Sequence, residues 1–394
     1  MRGAGGDPGN PGKIKLIFYL PCLGTGGTER VVLNLCRNIS RDHFALEVCT
    51  PFGGALADLI TARGIPVTYL AVPDEKSASL WGKGRRFLRR LATLRSMISD
   101  EMPTVFHTHH MGPLLHLHLL RIAGFRKFGW VHTEHSKTDV VSAYGSRLFR
   151  VLNPLKGPDL LAGVAPAVTE IMRSVSAAPE GRCVSVLNGI ETALYGSAHR
   201  DRKREAMGFL PGDRIIGAIG NLRREKNQQL LLKAFALLAA TDLRVKLLLC
   251  GDGECRPDLE QAARELHVAD RVQFLGFRLD AHEIMGVFDV YCLPSVYEGL
   301  PLSILEAWAA KRPVVATDVM GIRDIVRHGE NGLLVPLDDE QRMAEELLRV
   351  LANPGDASKL AAEGFQLVTS RYGVEKMVAG YESLYRGVAG GYGW

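Results

Sequence analysis

Short apolar runs of strand length alternate along the chain with helix-like stretches. "IKLIFYL" (14–20) precedes "TERVVLNLCRNI" (28–39), "LEVCT" precedes a short helix, and "VTYL" precedes a basic one. "TVFH", "FGWVHT" and "LLAGV" follow as further strands. Such alternation predicts parallel strands joined by right-handed helical crossovers. The rhythm restarts at "RIIGAIGN" (214–221), followed by the helix "QQLLLKAFALLAA", and continues through "RVKLLLCG", "RVQFLGF", "DVYCLPS" and "RPVVATD". The pattern predicts an α/β chain of two Rossmann-like doubly wound domains, over 13–195 and 205–372. The polar, basic stretch from about Gly189 to Gly212 reads as their connection. Helices are predicted near 338–352, 356–369 and 374–387, with a loose tail over 1–12 and a frayed "GGYGW" at the end. Two such domains facing each other would bind ligands in a cleft at the carboxyl ends of their strands.

Composition adds limits. With 394 residues the chain can hold two domains with sizeable cores. A net charge of +5 demands no long-range attraction to nucleic acid, and no nucleic-acid partner is expected. The seven cysteines form no C-x-x-C pair, and a reducing cytoplasm fits that usage. No unbroken apolar run of about 18 or more residues occurs, so no transmembrane helix is expected.

The chemistry falls in loops after strands. In "PCLGTGGTER", Gly24, Gly26 and Gly27 open a helix, where a permissive backbone and unpaired amides suit an anion. A tight turn explains the same glycines, and no Walker A lysine follows. In "GNLRREKNQQ", Arg223, Arg224 and Lys226 crowd a helix start, against its dipole by about 0.3–1 kcal/mol each. A phosphate there would reverse that sign; a solvated basic turn is the bland alternative. "GDGE" (251–254) supplies Gly253 and Glu254 in another glycine turn. "SVYEGLPLSILEAWAA" runs from a strand exit at Ser295 through Glu298, Gly299 and Leu300 to Pro301, which suits a first helical turn, and on to Glu306 in the second. Two acids flanking a helix start read as hydroxyl acceptors for a polyhydroxylated ligand whose phosphates lie on the helix amides. A surface acid and a dipole-stabilising acid are the bland alternatives.

"FHTHHMGPLLHLH" and "WVHTEHS" hold seven of the twelve histidines. The H-x-H pairs His107/His109 and His116/His118 admit a metal reading, but no Asp or Glu lies within the first stretch to complete a site, and none is assigned. His132 and His135 end a strand, and His132 could bond a sugar hydroxyl or be a satisfied structural histidine. In "LWGKGRRFLRRLATLRSMI" (80–98), Leu80, Gly84, Phe87, Leu88, Leu91, Leu94 and Ile98 follow helical spacing, while Arg85, Arg86, Arg89 and Arg90 occupy the other face. Such a helix can lie on an anionic membrane surface; an ordinary helix with a solvated basic face is equally compatible.

Taken together, "GTGGTER", "WVHTEHS", "LNGI", "GNLRREKN", "GDGE" and "EGLPLSILE" resemble the retaining glycosyltransferases of family 4, which have the GT-B fold. The last carries the family's E-x7-E spacing, from Glu298 to Glu306. The resemblance spans nearly the whole chain. It implies a nucleotide-diphosphate sugar donor in the second domain, a glycan or lipid-linked acceptor in the first, and no divalent metal or other cofactor. Carried onto this chain, Glu306 would bind the ribose and Glu298 the donor sugar. Lys226 and the amides of Gly299 and Leu300 would hold the diphosphate, Gly26 and Gly27 would approach the phosphate or acceptor, and His132 would face the transferred sugar. The family's usual arginine in a G-R-L pattern is Asn221 here, and Arg223 is the candidate to supply that charge. Many relatives have a C-terminal helix that crosses back to the first domain, and 374–390 fits that place.

The function expected is assembly of cell-surface polysaccharide or lipopolysaccharide, in the cytoplasm or at the inner face of the membrane. A sugar-nucleotide epimerase or hydrolase of the same fold, and a non-catalytic sugar-nucleotide-binding protein, are the alternatives. A nicotinamide dehydrogenase is disfavoured, because "GTGGTE" lacks the G-x-G-x-x-G spacing.

Overall fold

The computed structural model describes residues 12–70, 80–125, 127–136, 140, 153, 156–196 and 200–391. The predicted tail up to residue 11, the side chain of Leu80 and the last three residues of "GGYGW" lie outside them. The chain forms two compact units, one of Met1–Leu187 with Met377–Trp394, the other of Asn188–Lys376.

Unit 1 is built on seven parallel strands: β1 (Ile14–Tyr19), β2 (Phe44–Thr50), β3 (Val67–Tyr69), β4 (Thr104–His109), β5 (Gly129–Glu134), β6 (Leu160–Gly163) and β7 (Cys183–Ser185). Their order across the sheet is β3-β2-β1-β4-β5-β6-β7. The central strands are buried on both faces, so they read as continuous apolar runs. The order reverses between β1 and β4, and loops leaving the carboxyl ends of those strands diverge to open a ligand crevice. The helix Gly27–Asn38 seals the sheet with Val31, Val32 and Leu35, each at 0% exposure.

Unit 2 carries β8 (Arg214–Ile219), β9 (Val245–Cys250), β10 (Val272–Gly276), β11 (Val290–Leu293), β12 (Val314–Thr317) and β13 (Leu333–Val335). These are parallel in the order β10-β9-β8-β11-β12-β13, with the reversal between β8 and β11. The helix Gln228–Thr241 is apolar on nearly every side because the core encloses it; Leu231, Leu232 and Phe235 are fully buried.

The domain limits move from those expected. Residues 188–195 belong to unit 2, where Ile190 is stitched to the far end of the chain: its N–H donates to the Tyr372 carbonyl (3.0 Å) and its own carbonyl accepts from the Val374 N–H (3.0 Å). The supposed connection beyond it contains the helix Arg200–Ala206, which is clamped to unit 2 by charge. Arg200 and Arg204 pair with Asp289, the latter at 2.6 Å, and Lys203 reaches Asp280 at 2.6 Å and Glu283 at 2.5 Å. The three-residue edge strands β7 and β13 were invisible to the hydrophobic pattern. The closing helices are Glu340–Ala352, Pro354–Arg371 and Val374–Gly390. From Met377 on, the last belongs to unit 1: Tyr381 and Tyr385 are fully buried there, and Glu382 accepts the Ser40 N–H at 2.9 Å. Gly129 makes room for this helix, since a Cβ there would run into Val388. No helix among the described residues is long and apolar enough to cross a membrane.

Candidate active site

In unit 2 the loops leaving β8 and β11 flank the reversal in strand order, and they bring together residues 72 positions apart. Lys226 ends a short 3₁₀ turn, Arg224–Lys226, and Asn227 behind it adopts a left-handed conformation (φ 48°) to start the next helix. The Lys226 Nζ donates to Glu298 Oε1 at 2.7 Å, and the Ser295 hydroxyl donates to the same oxygen at 2.7 Å. Both bonds fall on Oε1, so Oε2 is the oxygen that can take a further hydroxyl. Ser295 is itself fixed, because its carbonyl accepts the Thr317 hydroxyl at 2.5 Å. The Val296 N–H donates to the Glu225 carbonyl (2.9 Å), which ties the two loops together through the backbone. Glu298 is thus no free surface acid: its side chain is 11% exposed, and that of Lys226 is 27% exposed. An ammonium has three donors, so Lys226 can keep Glu298 and still offer protons to an anion.

The helix Leu302–Ala309 begins beside this pair, with Pro301 at its N-cap. The Glu298 N–H is taken by the Met320 carbonyl (3.3 Å), and the first-turn amides that follow have no intrahelical acceptor. Gly321 (φ +83°) closes the loop from behind; a Cβ there would strike the Glu298 carbonyl and lie 2.7 Å from that of Gly299. Glu306 is 5% exposed, one turn into the helix. Tyr291 beneath it is fully buried, and its phenol is pushed well above its ordinary value, first by burial and further by Glu306 and Glu298.

The other donor-loop candidates divide. Asn221 is half-buried, with its carbonyl accepting from Gln228 Nε2 (3.1 Å). Arg223 and Glu254 are exposed. Gly253 has a packing reason of its own, because a Cβ on it would meet the backbone of Leu222. Gly251 (φ +144°) likewise lets the Gly220 carbonyl pass.

In unit 1 the glycine loop is filled from within the chain. Gly26 is the N-cap of the helix Gly27–Asn38, and the space its missing side chain leaves is filled by the carboxylate of Glu29, itself 9% exposed. The Cys22 thiol donates to Glu29 Oε1 at 3.4 Å. Where Gly26 and Gly27 were expected to approach the phosphate or the acceptor, the loop already holds an anion, which leaves the acceptor as the better fit. A carboxylate there favours the helix dipole and opposes a second negative charge.

His132 departs from its expected role. It is fully buried, and both ring nitrogens are engaged: Nδ1 with Thr108 Oγ1 (2.7 Å) and Nε2 with Glu134 Oε1 (3.0 Å). Trp130 Nε1 donates to the same threonine at 2.7 Å. No nitrogen of His132 remains for a sugar. The opposite face of the same strand pair holds a second network. His107 bonds Thr133 Oγ1 and Tyr385 OH, both at 2.7 Å, and Thr133 bonds Tyr381 OH at 3.1 Å. His109 bonds His135, which stands just past the end of β5, at 2.9 Å. His135 is therefore the histidine of "WVHTEHS" placed at the strand exit, a position that spacing alone did not separate from His132. Among the described residues, no group of three or more His, Cys, Asp or Glu side chains is arranged to hold a metal ion.

The basic helix runs over Leu80–Ser96, so Ile98 lies beyond it. Its apolar face is partly used by unit 1: Phe87 stacks on His116 (centroids 5.2 Å) and Leu94 is fully buried. Arg85 and Arg89 are exposed on either side of Leu88, which is 66% exposed, while Arg86 and Arg90 are half-buried. The helix is thus docked on its own domain, and its outward face is basic with one projecting leucine.

Two parallel-sheet α/β units, each with its chemistry at the reversal of strand order, define the GT-B class. A cyanobacterial protein of that class, Anabaena Alr3699/HepE in complex with UDP-glucose, superposes with a TM-score of 0.78 over 94% of this chain and 99% of its own, at 21% identity. By sequence, residues 25–194 match the family described as Glycosyltransferase Family 4, and residues 213–353 match Glycosyl transferases group 1. The chain belongs to this glycosyltransferase family. It is 30% identical over 201 residues to an N-acetyl-alpha-D-glucosaminyl L-malate synthase of Bacillus anthracis, covering 51% of this chain and 52% of that protein. It is 32% identical over 170 residues to the lipopolysaccharide core biosynthesis glycosyltransferase LpsE of Rhizobium meliloti (strain 1021), covering 43% and 49%. The chain spans about half the length of the curated relatives it matches first.

Proposed function

We propose that the protein transfers a sugar, with retention, from a nucleotide-diphosphate sugar held by unit 2 to a glycan or lipid-linked acceptor held by unit 1, in cell-surface polysaccharide or lipopolysaccharide assembly. The observation that carries this reading is the Lys226–Glu298–Ser295 cluster beside the start of the helix Leu302–Ala309. Breaking the anomeric C–O bond leaves charge on the departing diphosphate. Lys226 and the first-turn amides are placed to stabilise that charge as it develops, with Arg223 adding a mobile cation from the rim. Glu298 Oε2 accepts a hydroxyl of the donor sugar, and Glu306 accepts the ribose diol. Solved relatives of the same fold hold UDP and UDP-glucose, which supports a nucleotide-sugar donor.

On the acceptor side, His135 replaces His132 as the histidine that meets the sugar, and Glu29 suits the glycine loop to hydroxyls rather than to phosphate. No metal takes part in this scheme, so chelation with EDTA leaves turnover unchanged. Membrane contact falls to the outward face of the helix Leu80–Ser96, with Arg85 and Arg89 at its centre, which supports a peripheral position on the cytoplasmic face of an anionic bilayer.

A thermal-shift screen against nucleoside diphosphates and their sugars tests the reading. A ligand at about 100 times its Kd adds about 2.7 kcal/mol of stability. Donor alone separates the alternatives: rapid hydrolysis or epimerisation without acceptor would favour the epimerase or hydrolase. Saturable binding without turnover across a broad acceptor panel would favour the binding protein.

A further inference from the structure

Strands β4 and β5 are in parallel register with Thr108 opposite His132 and His109 opposite Thr133. On the face shared by His107 and His109, each histidine reaches two residues ahead of its partner in register. His107 lies opposite Val131 and bonds Thr133; His109 lies opposite Thr133 and bonds His135. The same diagonal step is thus repeated toward the strand exits. The first rung is tied off by Tyr381 and Tyr385 of the C-terminal helix. The second ends on His135, which is outside the ladder.

Two contacts fix the His135 ring. His110, just past β4 and at a positive φ of 64°, stacks against it with centroids 6.0 Å apart and planes at 28°. His109 Nδ1 meets its Nε2 at 2.9 Å. His109 is fully buried, and its other nitrogen, Nε2, is buried with no hydrogen-bond partner among the described residues. That orphan decides where the shared proton sits. Were His135 the donor, His109 would carry its own proton on Nε2, leaving a buried N–H with no acceptor. Were His109 the donor, Nε2 would be a bare lone pair. A buried N–H without an acceptor is the rarer orphan in folded proteins. The second arrangement is therefore favoured: the His109 Nδ1–H donates, and His135 accepts at Nε2.

We infer that His109 is a positioning residue that locks His135 in the tautomer bearing its proton on Nδ1, so that His135 presents a hydrogen-bond donor, not a base, to an oxygen of the bound sugar. Burial, reinforced by His107, His135, His110 and His132, holds His109 well below the ordinary histidine range, so it remains a neutral single donor at physiological pH. The inference rests on the reading above that His135 meets the sugar. It adds the chemical sense of that contact: a sugar hydroxyl or ring oxygen accepts from His135, and the acceptor's proton leaves by another route.

Nitrogen-15 NMR of the histidine-labelled wild-type protein reads the tautomer directly and needs no variant. The result expected is a protonated Nδ1 and a lone-pair Nε2 on His135; a protonated Nε2 overturns the inference. Kinetics supply the second arm. His109→Leu fills the volume but removes the donor. It is expected to lower kcat about 10-fold, the cost of one lost hydrogen bond, with donor KM unchanged. His109→Asn keeps an N–H near the Nδ1 position and is expected to restore kcat. A full rate for His109→Leu, or no recovery in His109→Asn, contradicts the positioning role. The two levels separate through His135→Ala. If that variant is inactive while His109→Leu is normal, only the tautomer lock fails; if it transfers sugar normally, the reading of His135 falls and the inference with it.

Discussion

The strand exits of the two units have the same topology and opposite chemistry. At β4 and β5 in unit 1, histidines, threonines and tyrosines are buried and bonded to one another, with the buried Glu134 bonded to His132. At β8 and β11 in unit 2, a lysine and a glutamate face each other at partial exposure, and arginines stand on the rim. A buried, mutually bonded network has little freedom to change partners and so serves to hold a geometry. A partly exposed ion pair with spare donors and a spare oxygen can exchange water for a charged ligand at small cost. Under the proposed function, this contrast corresponds to charge stabilisation in unit 2 and positioning in unit 1.

The largest effect that would break this division is in unit 2. Lys226→Ala is expected to lower transfer by about 10²–10³, the cost of one oxyanion donor, while circular dichroism and melting temperature stay near wild type. Normal turnover would place the charge elsewhere. Next comes the loop that holds Glu298. At Gly321 a side chain would be strained by the positive φ and would strike the carbonyls behind the helix start. Gly321→Ala is expected to cost about 1–3 kcal/mol of local conformation and to raise the donor KM roughly 10-fold or more.

Acid sharpens the comparison from the other side. His107, His109, His116, His118 and His132 are the buried histidines among the described residues, and all lie in unit 1. Burial pushes His118 down to about 4 and holds His107, His109 and His135 well below their ordinary value of 6.5. The unfolded chain takes up these protons as pH falls below about 6.5, and the native state resists until its lower values are reached. The stability they contribute is therefore intact above that pH and lost as pH falls through it. Each histidine removes up to about 1.4 kcal/mol per pH unit. Hydrogen exchange between pH 7 and about 5 should show unit 1 opening before unit 2; equal loss in both units would deny the contrast. The smallest effect concerns the basic helix. Changing Arg85, Arg86, Arg89 and Arg90 to glutamine should weaken binding to anionic vesicles, with each exposed arginine worth about 1 kcal/mol. Unchanged binding would leave that face merely solvated.

Much of this was legible in the sequence, and the gaps have physical reasons. The restart at "RIIGAIGN" placed the second sheet because long buried strands write continuous apolar runs. β7 and β13, three residues each, leave no period to detect. The stretch after Leu187 looked like a linker because its arginines and lysine bind acids about 80 residues away, a partnership that no local window contains. Lys226 and Glu298 were each recognisable by loop and motif, but their pairing across two strands was not. Gly253 reads as a ligand glycine, whereas the Leu222 backbone close behind it accounts for its missing side chain. His132 and His135 share one motif, and only the strand end, with a bond on each ring nitrogen of His132, tells them apart.

The central claim is that Lys226 and the start of the helix Leu302–Ala309 grip a diphosphate, and calorimetric titration with UDP and GDP tests it most directly. The account predicts saturable binding of one of them to the wild-type protein. It also predicts that Lys226→Ala weakens that binding at least 10-fold, as expected for a lost hydrogen bond from a charged donor. Wild-type protein that binds neither nucleotide, or a Lys226→Ala variant that binds as tightly as wild type, would contradict it.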